Sequence, residues 1–152
     1  MIGLLQRVSR ASVDVTGQRI AAISSGLLVL VGVERSDTEA QARRLLERLL
    51  AYRVFPDEAG RMNRDLREIG GALLLVPQFT LLADTRKGNR PGFAAAAAPE
   101  QGRELFETLC SLAKAAYPQV ACGAFGADMQ VELVNDGPVT FWLQVGSGAE
   151  SD

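Results

Sequence analysis

Val134-Asn135-Asp136-Gly137-Pro138-Val139-Thr140-Phe141-Trp142-Leu143-Gln144-Val145 is the stretch whose reading decides the fold. On one side Met129, Val131 and Leu133 alternate with Gln130 and Glu132. On the other, Val139, Phe141, Leu143 and Val145 alternate with Thr140, Trp142 and Gln144. A period of two is the mark of half-buried strands whose side chains point to opposite faces. Asn-Asp-Gly-Pro between the runs is a dense turn signal, so the spacing predicts an antiparallel hairpin. Gly137 tolerates backbone angles closed to other residues, and Pro138 fixes φ and admits a cis bond at a cost of only ~0.5–1 kcal/mol. Together they predict a rigid corner that presents two carbonyls and no bulky side chain. The plain alternative is a tight connection between strands.

Working back from that corner, Ala72–Val76 is an apolar run and leads directly into Pro77-Gln78-Phe79-Thr80-Leu81. Leu27–Val31 is equally apolar, as expected of a strand covered on both faces. Residues 2–9 and 11–16 read as strands, with Val13 and Val15 against Ser12 and Asp14, and Thr16-Gly17-Gln18 turns the chain into Arg19–Ile23. Val120–Phe125 and Ala127–Val134 supply the remaining strands. Arg7, in the first of these segments, reads on its own as an edge charge in solvent.

Two helices are expected. Ser36 and Glu39 have the spacing of a capping box, opening a helix with Leu45, Leu46, Leu49 and Leu50 on one face and Arg43, Arg44, Glu47 and Arg48 mostly on the other. Those arginines fit either a solvated face or a nucleic-acid patch. Pro99 suits a first helical position, and Leu105, Phe106, Leu109, Leu112 and Ala113 form a stripe up to Tyr117-Pro118. A short helical turn is expected within Asn63–Gly71. The loop Asp84–Phe93 groups Arg86, Lys87 and Arg90 with Gly, Pro and Phe, which suits phosphate or ribose contact as well as a flexible solvated loop.

Composition limits the chemistry. The 152 residues suit one domain, and 16 basic against 18 acidic residues give a net charge of −2, so no global basic field draws in nucleic acid. Cys110 and Cys122 are too few for a disulfide framework and read as reduced thiols in a cytoplasmic protein. Neither a signal peptide nor a membrane-length apolar run is expected. The sequence contains no histidine, which removes His-based nucleophile systems and the usual zinc ligands. No metal or cofactor is expected, and the work falls to backbone, hydroxyls, carboxylates or the substrate itself.

Gln78-Phe79-Thr80-Leu81 and Asn135-Asp136-Gly137-Pro138-Val139-Thr140 together resemble the D-aminoacyl-tRNA deacylase family. So do Leu5–Val13, Gly26–Gly32, Tyr52-Arg53-Val54-Phe55, Lys87-Gly88-Asn89-Arg90-Pro91 and Ala127–Val131. The match runs in order over residues 1–145, read as one domain, with 146–152 expected as a disordered tail. The resemblance implies a mixed α/β fold of largely antiparallel, curved sheets flanked by two main helices. It implies a homodimer that hydrolyses the ester between a D-amino acid and the terminal adenosine of tRNA. A cis Gly137-Pro138 corner of one subunit would enter the partner's active site and turn both carbonyls on the substrate α-carbon. Arg7 would support that corner, Gln78 would bind substrate, and Phe79 and Met129 would pack against the terminal adenine or simply belong to the core. The amides of Phe79 and Thr80 are the candidate oxyanion donors, and the Thr80 hydroxyl is a competing nucleophile that lacks a visible base. The family motif has Ser where this chain has Pro77, which removes a hydroxyl and an N–H. The rivals are a relative that edits achiral or L-aminoacyl mischarging, and a nucleic-acid-binding protein without catalysis.

Overall fold

A computed structural model describes residues 1–146 of the chain. Eight strands and three helices follow one another as β1 (Ile2–Val15), β2 (Gln18–Ile23), β3 (Gly26–Gly32), α1 (Glu39–Ala51), β4 (Phe55–Pro56), β5 (Met62–Arg64), α2 (Leu66–Ile69), β6 (Ala72–Pro77), a 3-10 turn (Phe79–Leu82), α3 (Pro99–Ala116), β7 (Val120–Cys122) and β8 (Met129–Gln144). Of the expected tail, Gly146 is described, and residues 147–152 lie outside the described residues.

The main sheet is built around β1. β8 lines one edge of it from Ile2↔Gln144 to Val15↔Met129, while β3 and β2 share the other edge. Beyond β3, β6 and β7 add on in parallel, so the sheet is mixed, antiparallel around β1 and parallel at its far side. The alternation read in the sequence sorts residues between two cores. Leu27, Val29, Leu73 and Leu75 face the layer formed by Leu45 and Leu49 of α1 and by Phe106 and Leu109 of α3. Leu28, Leu74 and Val76 face a second cluster inside the curved sheet, with Val8, Val13, Met129, Val131 and Leu133. The covered-on-both-faces reading of β3 and β6 holds.

The predicted hairpin does not form. Both halves of β8 pair antiparallel to β1, so they run in the same direction as a single strand. Pairing breaks between Gln6↔Thr140 and Val8↔Asn135, where Arg7 alone faces four residues of β8, Asp136 to Val139. The corner is therefore an outward loop in a continuous strand, a large bulge and not a reversal. Asn135 accounts for the continuity, because its side-chain amide donates to the carbonyls of Arg7 and Val139, both at 3.0 Å, and so laces the gap shut.

The start of α1 also differs from expectation. Thr38, not Ser36, is the cap, and the Gln41 side chain accepts from the Thr38 N–H at 2.7 Å. Asp37 is drawn away to the Met1 ammonium at 2.7 Å and to the Glu34 N–H at 2.7 Å, which fixes Ser36-Asp37 in a turn ahead of the helix. Phe55–Gly60, expected as a plain turn, opens the small β4–β5 hairpin. The expected strand Val120–Phe125 stops at Cys122, because Ala124–Ala127 turns with Gly126 at φ 79°.

Candidate active site

The end of β6 delivers the chain to the 3-10 turn, and the turn is fixed by what lies under it. A Cβ at Gly32 would sit 2.3 Å from Leu82 Cδ2 and 3.2 Å from Leu81 Cβ, so only glycine lets the turn press onto β3. The Gln78 N–H donates to the Val31 carbonyl at 2.8 Å, the last rung of the β3–β6 ladder. Successive strand amides point to opposite edges, so the N–H that Pro77 lacks would have faced the β7 side. There β7 has already ended, and the missing donor breaks no rung.

Within the turn, Leu81 and Ala83 donate to the Gln78 and Thr80 carbonyls at 3.2 and 3.1 Å. The N–H groups of Phe79 and Thr80 open the turn and have no acceptor among the described residues, as first-turn amides have none within their own helix. The Gln78 side-chain amide donates to Thr80 Oγ1. That hydroxyl is exposed, accepts from an amide, and has no basic side chain bonded to it.

Phe79 is 60% exposed and lines two cavities. One, of about 260 Å³, is apolar, walled by Val31, Val33, Ala97, Phe106 and Phe125 with Pro77. The other, of about 290 Å³, is bounded by Gln78, Met129, Val131, Phe125 and Ala127. Gln78, Phe79 and Met129 are thus brought together, with Thr80 beside them on the same turn. Phe125 and Gly126 line both cavities and were not among the residues expected at the site; read as the end of a strand, they carry no sequence signal of their own. Phe93 is a second addition, since its ring lies 5.2 Å from that of Phe79, tilted at 50°.

Phe93 reaches Phe79 because the 84–93 loop closes on itself. Asp84 and Gly92 exchange backbone hydrogen bonds of 2.7 and 3.0 Å. The Asp84 carboxylate takes a forked contact from Arg86, at 2.9 and 2.8 Å, and the Arg86 N–H. These bonds pull its pKa down to about 2. Of the three cations of this loop, Arg86 is neutralised, and Lys87 and Arg90 have no ion pair among the described residues.

The Gly137-Pro138 corner stands elsewhere. Its peptide bond is cis, Gly137 has φ +135°, and both residues are exposed. It lines neither of these two cavities of its own chain. Arg7 holds it from below: Nε donates to the Asp136 carbonyl at 3.0 Å, Nη1 donates to the Val54 carbonyl at 2.7 Å, and Asp136 Oδ2 lies 3.6 Å from Nε. Far from being an edge charge, Arg7 sits mid-strand in β1 with its side chain 14% exposed. The expected site residues therefore fall into two groups, one around Phe79 and one around Arg7. Among the described residues no cluster of His, Cys, Asp and Glu that could hold a metal is found, and no helix is long and apolar enough to cross a membrane.

The chain is similar in sequence and fold to proteins already known. A family model described as D-Tyr-tRNA(Tyr) deacylase matches residues 4–144. A D-aminoacyl-tRNA deacylase of Alkalilimnicola ehrlichii is 64% identical over 144 residues, covering 95% of this chain and 96% of that protein. One from Thioalkalivibrio sulfidiphilus is 64% identical over 145 residues, covering 95% and 97%. Among solved structures, one described as c-Myc DNA Unwinding Element Binding Protein superposes with a TM-score of 0.91 at 37% identity, over 97% of this chain and 100% of that one. Another, described as a probable eukaryotic D-amino acid tRNA deacylase, gives 0.80 at 18% identity, over 95% and 98%, and supports the fold alone. On the sequence match over nearly its whole length, the chain belongs to the D-aminoacyl-tRNA deacylase family.

Proposed function

We propose that this protein is a cytoplasmic chiral proofreading enzyme that hydrolyses the ester of D-aminoacyl-tRNA, freeing the D-amino acid and the tRNA. It works as a homodimer in which each Gly137-Pro138 corner enters the partner's site. The observation that carries this reading is the separation of the two groups of residues: an exposed corner braced by Arg7 lines neither of the two cavities beside Phe79. In a second copy it would stand over Gln78, Phe79 and Thr80.

An aminoacyl ester is already activated, so a site without histidine suffices. The unpaired N–H groups of Phe79 and Thr80 receive the charge of the tetrahedral intermediate, at about 2.7–4 kcal/mol per donor. Thr80 Oγ1 is occupied by the Gln78 amide, which suits an orienting group better than a nucleophile. The ribose 2′-hydroxyl of the substrate orients the attacking water. Phe79 and Met129 pack on the terminal adenine, and no cofactor takes part. Handedness is sensed by exclusion. A pocket separates close homologues by only ~1–3 kcal/mol, whereas two fixed carbonyls at the α-carbon reject any L side chain at its β-carbon. Glycine has no β-carbon, so glycyl-tRNA is also hydrolysed.

The net charge of −2 disfavours the non-catalytic nucleic-acid-binding alternative. Incubation with D-Tyr-, L-Tyr- and Gly-tRNA, following ester loss, separates the readings: D and Gly esters should be lost and the L ester spared. Equal loss of D and L esters, or of neither, refutes the proposal. Subunit exchange tests the in-trans corner. A Gly137→Ala variant that has come to hydrolyse L-Tyr-tRNA should regain rejection of it when its subunits are exchanged with an excess of Phe79→Ala subunits, because each of its pockets then receives an intact corner. No recovery would place the corner and the turn in the same subunit's site.

A further inference from the structure

Phe125 walls both cavities beside Phe79, and the backbone around it is tied only at a distance. Gly123, two residues before it, donates to the Leu75 carbonyl at 2.8 Å, and Met129, four residues after it, pairs with Val15. Between these anchors the chain turns through Gly126 at φ +79°, and the Ala127 N–H reaches the Ala124 carbonyl at a long 3.3 Å. The ladders fix the ends of this turn and leave the place of the ring to side-chain packing.

That packing comes from the first turns of α3. Gly102 backs onto the ring edge, since a Cβ there would stand 3.1 Å from Phe125 Cζ. Phe106 is 2% exposed and fixed in the core, and its ring lies 6.4 Å from that of Phe125, tilted at 39°. Arg103 covers the ring, its guanidinium carbon 5.2 Å from the centroid, inside the range of about 6 Å over which a cation is drawn to an aromatic face. Its Nη2 also presses on the turn, 3.2 Å from the place of a Cβ on Gly126. Glu107, one helical turn on, stands 3.7 Å from Arg103 Nη1, but both side chains are more than half exposed. An ion pair so open to water is worth little and does not compete with the ring. Arg103 itself lines neither cavity.

We infer that Arg103 is a positioning residue of the site: by holding Phe125 against α3 it sets the width of both cavities, and with it the affinity for the terminal adenosine, without touching the substrate. The inference rests on the reading that the cavity beside Met129 takes that nucleoside. With the cation removed, the ring gains freedom to lean into the space the adenosine needs. The amides of Phe79 and Thr80 belong to the turn after β6 and keep their places. Binding therefore weakens while the chemical step is spared, the pattern of a lost uniform-binding contact.

Arg103→Met keeps an unbranched stem and removes the charge. With D-Tyr-tRNA it should raise KM by about 2- to 5-fold and leave kcat unchanged, the equivalent of one half-exposed cation–π contact. The melting temperature should fall by no more than about 4 °C. D-Tyr-adenosine, which carries no phosphate, should show the same rise in KM. In a Phe125→Leu background Arg103→Met should raise KM no further, because the ring through which it acts is gone. An unchanged KM in Arg103→Met, a fall in kcat as large as the rise in KM, or an undiminished rise in the Phe125→Leu background overturns the inference. So does a rise confined to the tRNA substrate, which would make Arg103 a phosphate contact. A wild type that hydrolyses neither ester sinks the deacylation reading instead, and calorimetry with adenosine then decides the inference alone: affinity lower in Arg103→Met by the same factor upholds it, and equal affinities, or none in the wild type, overturn it.

Discussion

Gly137→Ala isolates what holds the corner in shape. A Cβ there would stand 2.7 Å from Val139 Cγ2, 3.0 Å from the Val139 nitrogen and 3.2 Å from Arg7 Nη2. The methyl contact is relieved if Val139 turns, although a β-branched side chain has few rotamers to choose from. The contact with the backbone nitrogen is not relieved that way. To this is added a φ of +135°, a region that costs a residue with a β-carbon about 1–3 kcal/mol. Overpacking contributes a further ~1–3 kcal/mol. The chain can meet the demand by unfolding more readily or by shifting the exposed corner outward, which stretches the Arg7 contact to the Asp136 carbonyl.

The assay must read both outcomes. Urea unfolding should show a loss of about 1–3 kcal/mol, the remainder being relieved by movement. Displacement by about 1 Å typically costs on the order of 100-fold in a catalytic constellation, so the kcat/KM ratio for D- over L-Tyr-tRNA should collapse by at least that order. Gly137→Ala with Val139→Ala removes the methyl contact and leaves the backbone ones. It should recover part of the stability and little of the discrimination. A single Gly137→Ala variant with unchanged stability and an intact D/L ratio refutes the argument that these contacts set the corner.

Arg7→Met leaves the carbonyls of Asp136 and Val54 without their charged donor and should destabilise by about 2–4 kcal/mol; D/L discrimination should fall with it, and discrimination retained in a folded variant would show that Arg7 does not position the corner. Thr80→Ala should keep deacylation within about tenfold and trap no acyl-enzyme, as expected of an orienting hydroxyl; complete loss of turnover with substrate still bound would instead make it the nucleophile. The Asp84 carboxyl should titrate near 2, held down by Arg86. Because its folded pKa is depressed, its contribution to loop closure is complete above the ordinary value of 3.8 and is lost as pH falls toward 2. A carboxyl-detected NMR titration of wild type and Arg86→Gln checks this, and a midpoint near 3.8 in both contradicts it.

The architecture was readable wherever one residue type could be buried in only one way. Leu27–Val31 and Ala72–Val76 have no polar face, so both had to be covered on two sides, and they are. The helices followed from leucine stripes. What escaped was direction: alternation specifies a strand but not which way it runs, and Asn-Asp-Gly-Pro marks a corner whether the chain reverses or continues. The decision rests with Asn135, whose amide bridges Arg7 and Val139, a contact between residues 128 positions apart that no local pattern carries. The α1 cap moved for a similar reason, since Asp37 is claimed by Met1 from the far end of β1. At the site, Gln78, Phe79, Thr80 and Met129 were legible through resemblance to the family. Phe125 and Phe93 were not, because each reaches Phe79 only after a turn or a closed loop has been made.

The long pairing of β8 with β1 also sets the order in which the molecule is able to assemble. Ile2 waits for Gln144 and Val15 for Met129, so one whole edge of the earliest strand stays unsatisfied until nearly all of the chain has been synthesised, at about 5–20 residues per second. Contacts so distant in sequence close slowly, and a bare edge is a template for joining other chains. The nascent protein passes several seconds with that edge uncovered, the interval in which pairing with other chains competes with its own closure.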